Sequence, residues 1–209
     1  MKLFGLDIQC PPSSPKSWDQ LVAECVSCVQ PVRAMIQDRG VSDTKTLDQI
    51  QHALASVMLV NLLRDVRVEL IQHDRLYLPA DLASKHGLDL GMLRKALALD
   101  ADRGCDGDKR DASCDCALIP RGDMLALRDP FRATMRDLVN RTEGLLPVGR
   151  HDYWRALPLD MKRSLHSLVL EARSTLRMIV RHEYDTLTRR RTLGVLPRAW
   201  NRVRLKFAP

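Results

Sequence analysis

A chain of 209 residues is long enough for one domain with a full core, and 45% hydrophobic residues exclude a disordered chain. Aromatics are only 4%, which argues against a stacking surface for single-stranded nucleic acid, so no nucleic-acid partner is expected. The net charge of +7 is uneven: eight Arg or Lys face two acids between Arg181 and Pro209, so that segment carries +6 and everything before it +1.

Leu, Ala, Arg and Asp dominate and no β-branched alternation is sustained, so the expected class is all-α. No apolar run reaches about 18 residues, so no membrane-spanning helix is expected. The apolar patch Met1–Leu6 is short and Asp7 interrupts it, which speaks against a signal peptide. Cys10, Cys25, Cys28, Cys105, Cys114 and Cys116 are therefore expected as reduced thiols in a cytoplasmic protein.

Residues 1–16 hold Pro11, Pro12 and Pro15 and are expected as an irregular arm. Ser17 caps a helix from Trp18, whose stripe is Leu21, Val22, Cys25, Cys28, Val29 and Val32. Pro31 kinks it and Gly40 stops it. Cys25-Val26-Ser27-Cys28 is a CxxC. A zinc site needs a second pair of ligands, and Cys114-Asp115-Cys116 has the wrong spacing. A redox motif wants a preceding strand. Small thiols facing a core fit better.

Ser42 or Asp43 caps a central helix expected to run from about Lys45 to Gln72, roughly 40 Å. Nothing from Ala53 to Leu63 is charged, so this helix should be buried. Then Asn61, Arg64, Asp65 and Glu69 appear. In one helix, positions 61, 65 and 69 stack on one face. Two carboxylates there need either a shared divalent cation or neutralisation by Arg64, Arg67 or Arg75.

Pro79 opens a short helix from Ala80 to His86, closed by Gly87, and a second follows from Asp89 to Leu99. Residues 100–123, rich in Asp, Gly and Cys, are expected as an inserted loop. Asp102/Asp106 and Asp111/Asp115 are DxxxD pairs there, without the EF-hand pattern. They suit a solvated loop or an adventitious metal site. Residues 128–146 form a helix with Phe131, Met135, Leu138, Val139 and Leu145 inward. After Pro147, Gly149 and Trp154 comes a long helix. Its stripe is Met161, Leu165, Leu168, Val169, Ala172, Leu176, Ile179, Val180, Tyr184 and Leu187. The tail 189–209 interleaves arginines with Leu193, Trp200 and Phe207. It suits an anionic membrane surface or a solvated basic terminus. The domain between arm and tail is thus 17–188.

Asn61-Leu-Leu-Arg64-Asp65-Val-Arg-Val-Glu69 followed by Arg75-Leu-Tyr77-Leu-Pro79-Ala-Asp81-Leu resembles the second aspartate-rich region of the squalene/phytoene synthase family, NxxRDxxxD then R-[IL]-Y-[LF]-P-x-[DE]. Weaker similarity continues through Leu157-Pro158 to Tyr184-Asp185-Thr186-Leu187-Thr188-Arg189-Arg190, and upstream through residues 22–40. Residues 20–205 therefore resemble the C-terminal two-thirds of such an enzyme, which implies an N-terminally truncated, isoprenoid (terpenoid) synthase-type helical bundle. The family condenses two prenyl diphosphates, farnesyl or geranylgeranyl, with Mg²⁺ assisting diphosphate departure. The resemblance implies Asp65, Glu69 and Asn61 as Mg²⁺ ligands and Arg64 beside them as a catalytic group. Asn61, Arg75 and Tyr77 would contact substrate.

This sequence departs from the pattern in three places. Glu69 stands where the family has Asp, and Met58 where it has Gln. No DxxxD precedes Asn61, so the facing acidic wall is missing. Activity is therefore expected to be impaired unless a second copy or a partner chain supplies that wall. The alternative is an inactive homologue that serves binding or assembly. Through its tail the protein would sit at the inner membrane face.

Overall fold

The computed structural model describes residues 2–3, 6–8, 14–101, 121–147 and 157–187. Among these the architecture is all-α. The single β pairing is a two-residue antiparallel hairpin, β1 (Lys2–Leu3) with β2 (Leu6–Asp7). The helices are α1 (Trp18–Cys28), α2 (Gln30–Asp38), α3 (Thr44–Arg64), α4 (Val66–His73), α5 (Ala80–Lys85), α6 (Leu90–Ala101), α7 (Arg121–Leu145) and α8 (Leu159–Arg181).

The centre is α3. Asp43 caps it, its carboxylate accepting from the Thr46 N–H at 2.8 Å. That bond holds the Asp43 carboxyl below its usual range. Ala53 to Val60 is buried without interruption, as the uncharged run predicts. Four helices, α1, α2, α7 and α8, pack around it. A helix apolar all round is stable only when enclosed in this way. Leu54 and Leu59 have no exposed surface, and Met58 has 1%. The one polar link into this shell is Gln51, which donates to the Val26 carbonyl (2.8 Å) and accepts from Arg33 (2.9 Å), tying α3 to α1 and α2. Arg33 also pairs with Asp48.

Several sequence expectations are met locally. Ser17 caps α1, its hydroxyl accepting from the Gln20 N–H at 3.2 Å. Pro31 sits in the first turn of α2, where its missing N–H costs nothing, and the chain breaks at Val29 just before it. Gly40 (φ +93°) and Gly87 (φ +69°) follow the ends of α2 and α5 in the left-handed region. Cys25 is buried with the core, as a packing thiol should be.

Other expectations are corrected. The central helix is two helices, since α3 ends at Arg64 and α4 starts at Val66. Asp65 between them has φ −101° and ψ 16°. The arm is not loose at its end. Ser14 N–H donates to the Leu76 carbonyl (2.8 Å), while Ala80 and Asp81 N–H donate to Pro15 (3.0 Å) and Lys16 (3.1 Å). A proline-rich arm keeps its carbonyls as acceptors even where it lacks donors. The loop expected to end at 123 gives way to helix at Arg121, with Pro130 inside α7. Pro130 leaves the Ala126 carbonyl without its helical donor, but Ala126 is exposed, so water serves it. Two inward assignments also fail. Leu145 is 39% exposed and Val180 45%, and buried Thr142 and Leu146 take the place of Leu145. Finally α8 stops at Arg181, and Glu183 and Tyr184 adopt positive φ. Tyr184 and Leu187 pack from a turn beyond the helix.

Candidate functional site

The predicted site lies at the broken junction of α3 and α4. Backbone bonds from Asp65 N–H to the Asn61 carbonyl (3.0 Å) and from Glu69 N–H to the Asp65 carbonyl (2.9 Å) carry the i→i−4 ladder across the break. Asn61, Asp65 and Glu69 therefore still occupy successive turns, and all three are half-buried, as is Arg64. The structure brings these four together.

Their hydrogen bonding is unequal. Arg64 grips Asp65 with both arms of its fork, Nε to Oδ1 at 3.0 Å and Nη2 to Oδ2 at 2.5 Å. Side-chain exposures of 24% and 14% put this pair largely out of water. Glu69 is in a different state, since its Oε2 is buried with no hydrogen-bond partner.

Arg75 and Tyr77 follow from the end of α4. Asp74 turns the chain in the left-handed region (φ 48°), and Arg75 N–H returns to the Glu69 carbonyl at 3.0 Å. That places the Arg75 backbone beside Glu69 with the residue exposed. Tyr77 is 1% exposed and belongs to the core with Leu76 and Leu78. From α6, Arg94 clasps this corner. It pairs with Asp74 and donates to the Ser14 hydroxyl at 3.0 Å.

Sequence reasoning missed Arg67. At 7% exposure it donates to the Leu187 carbonyl at 2.9 Å, pinning α4 to the turn after α8. Arg132 pairs with Glu183 at 2.9 Å, and Arg136 lies over the Tyr184 ring at 5.3 Å. Three arginines thus hold the segment 183–187. Nothing in the local pattern separates these arginines from solvated ones.

A shallow hollow of about 560 Å³, lined by Lys45, Asp48, His52 and Leu145 among others, lies near the start of α3. At 1.5 Å per residue it is roughly 25 Å from Asp65 and so is not the predicted site.

The donor set at the junction is all oxygen, which suits a hard divalent cation. No three His, Cys, Asp or Glu converge among the described residues. The wall offers two carboxylates, and water or phosphate oxygens would complete six-fold coordination, the usual manner of Mg²⁺ binding. The orphaned Glu69 oxygen fits such an ion, whereas the Asp65 oxygens are committed to Arg64. The DxxxD pairs at 102/106 and 111/115, Trp154, and the basic tail lie outside the described residues. No described helix is long and apolar enough to cross a membrane.

No protein-family model matches the chain, and neither the curated proteins nor the solved structures contain a significant match.

Proposed function

We propose that this chain is a prenyl-diphosphate-binding protein of the squalene/phytoene synthase type, built on an isoprenoid synthase-like bundle. Its reaction is the condensation of two prenyl diphosphates. The observation that carries the reading is the Glu69 carboxylate, whose Oε2 is out of water and without a hydrogen-bond partner, one turn after Asp65. A buried anionic oxygen in that state is costly unless a cation reaches it.

In this reading Asp65 and Glu69 hold Mg²⁺, with the Asn61 amide oxygen one turn earlier. The ion would supply charge neutralisation for a departing diphosphate. Arg64 and Arg75 bring guanidinium groups to the same end of α3 for the remaining phosphate oxygens. Tyr77 acts by packing behind the wall rather than by touching substrate. The sequence contains one such acidic wall, so a second copy or a partner chain supplies the facing one. The basic tail holds the protein against an anionic membrane.

A second reading, an inactive relative that kept the helical scaffold for binding or assembly, is favoured by the grip of Arg64 on Asp65. One experiment separates them. The purified protein is incubated with Mg²⁺ and farnesyl or geranylgeranyl diphosphate. In parallel its thermal midpoint is followed with Mg²⁺ plus a prenyl thiodiphosphate. Diphosphate release that Asp65→Asn abolishes establishes the transferase. A raised midpoint without turnover establishes a binding wall without a reaction. A midpoint indifferent to both ligands, with no turnover, overturns the prenyl diphosphate reading and leaves the scaffold.

A further inference from the structure

The Arg64–Asp65 pair exists because the helix is broken. In an unbroken α-helix adjacent side chains point about 100° apart and do not face each other. At φ −101° and ψ 16°, Asp65 leaves the helical track, and its carboxylate meets the guanidinium of the residue before it. One planar fork then occupies both carboxylate oxygens. Glu69, one turn on, is not held in this way.

We propose that Arg64 is a latch on the acidic wall, denying Asp65 to a cation until a diphosphate draws the guanidinium away. This rests on the reading of Asp65 and Glu69 as a metal–diphosphate wall and adds to it the coupling between the two ligands. A phosphate presents the same pair of parallel acceptors as a carboxylate, so the fork of Arg64 transfers between them without loss of geometry. When it does, both Asp65 oxygens become available beside the Glu69 oxygen that has no partner. Cation and anion therefore each strengthen the binding of the other, by the same factor. The practical result is economy of the site: a free metal ion alone does not occupy it, and a free anion alone must first break the latch.

Calorimetric titration of the full chain with Mn²⁺ alone, and separately with inorganic pyrophosphate in EDTA, tests this. The informative variant is Arg64→Lys, which keeps the charge and removes the fork. It is expected to bind Mn²⁺ alone at least about fivefold more tightly than the wild type, and Arg64→Gln about tenfold or more. Arg75→Gln removes the same charge at an exposed position and is expected to change Mn²⁺ affinity by less than about twofold, because solvent screens it. Asp65→Asn is expected to tighten pyrophosphate binding more than Glu69→Gln does, although both remove one negative charge. Arg64→Lys binding Mn²⁺ no better than wild type overturns the latch. If the wild type still binds Mn²⁺ in that case, the wall itself stands. If neither Mn²⁺ nor pyrophosphate binds any form, latch and wall fall together.

Discussion

Arg67→Met should loosen the closing turn of the protein. Arg67 is 7% exposed, and its Nη1 donates to the carbonyl of Leu187, itself 3% exposed, at 2.9 Å. Methionine keeps most of the apolar stem and deletes the donor, so packing changes little. What is lost is a charge-assisted bond to a buried carbonyl that water does not easily reach. Such a bond contributes about 1.5–3 kcal/mol, and the orphaned acceptor carries its own desolvation penalty of similar size. Burying a cation costs something in the wild type, and that cost disappears in the variant. The net expectation is a loss of about 2 kcal/mol, or a fall of roughly 4–8 °C in thermal midpoint for a chain of this size. Urea unfolding with unchanged slope reads the stability, and amide exchange reads its location. Exchange should quicken in residues 183–187 and in α4 before it does so in α3. A change below about 0.5 kcal/mol, within the range of ordinary surface substitutions, would refute the claim that Arg67 pins α4 to this turn.

Three further outcomes follow from other parts of the molecule. Leu54→Ala removes a side chain with no exposed surface from the middle of α3 and should cost about 2–5 kcal/mol in urea unfolding. Glu69→Gln should leave the metal-free protein as stable as the wild type or more so, because it neutralises a buried oxygen that has no hydrogen-bond partner. It should also remove any stabilisation by Mg²⁺ plus prenyl thiodiphosphate, and thermal melts with and without the ligands check both halves. Asp137 on α7 accepts from Lys85 (2.8 Å), Arg141 (2.8 Å) and His86 (3.2 Å), and Lys85 first, then Arg141, holds its carboxyl far below the usual range. A carboxyl whose folded pKa is depressed contributes stability above its unfolded pKa of about 3.9 and loses it as pH falls towards the folded value. Asp137→Asn should therefore cost about 1 kcal/mol at neutral pH, a modest figure because Lys85 and Arg141 are 57% and 41% exposed. The gap between variant and wild type should close below about pH 4.

How much of this was legible in the chain depends on the range of the interaction that decides it. Caps are local, so Ser17, Asp43 and the turn glycines Gly40 and Gly87 could be read directly. The uncharged run Ala53–Leu63 determined that α3 is the enclosed helix, because only a surrounded helix tolerates apolar residues on every face. The four-residue spacing of Asn61, Asp65 and Glu69 determined that they share one face, and the backbone bonds across the junction preserve it. Spacing left two fates open for the carboxylates, a cation or a neighbouring arginine. The structure divides them: Asp65 is paired to Arg64 and the Glu69 oxygen is left over.

That division required tertiary structure. No Pro or Gly marks the break at Asp65, so local propensity alone does not locate it. Burial of Val66 and Leu70 and the reach of Arg67 to Leu187, 120 residues on, orient α4 differently from α3. The same holds for the strap of Ser14–Lys16 along Leu76–Asp81 and for the arginines around 183–187, since a hydrogen bond between distant segments leaves no periodicity in either. The sequence by itself determined which helix is central and which carboxylates face the same way. The packing of α4 against the end of the chain decided that one of them is locked by its neighbour, because the break it imposes is what lets adjacent side chains meet.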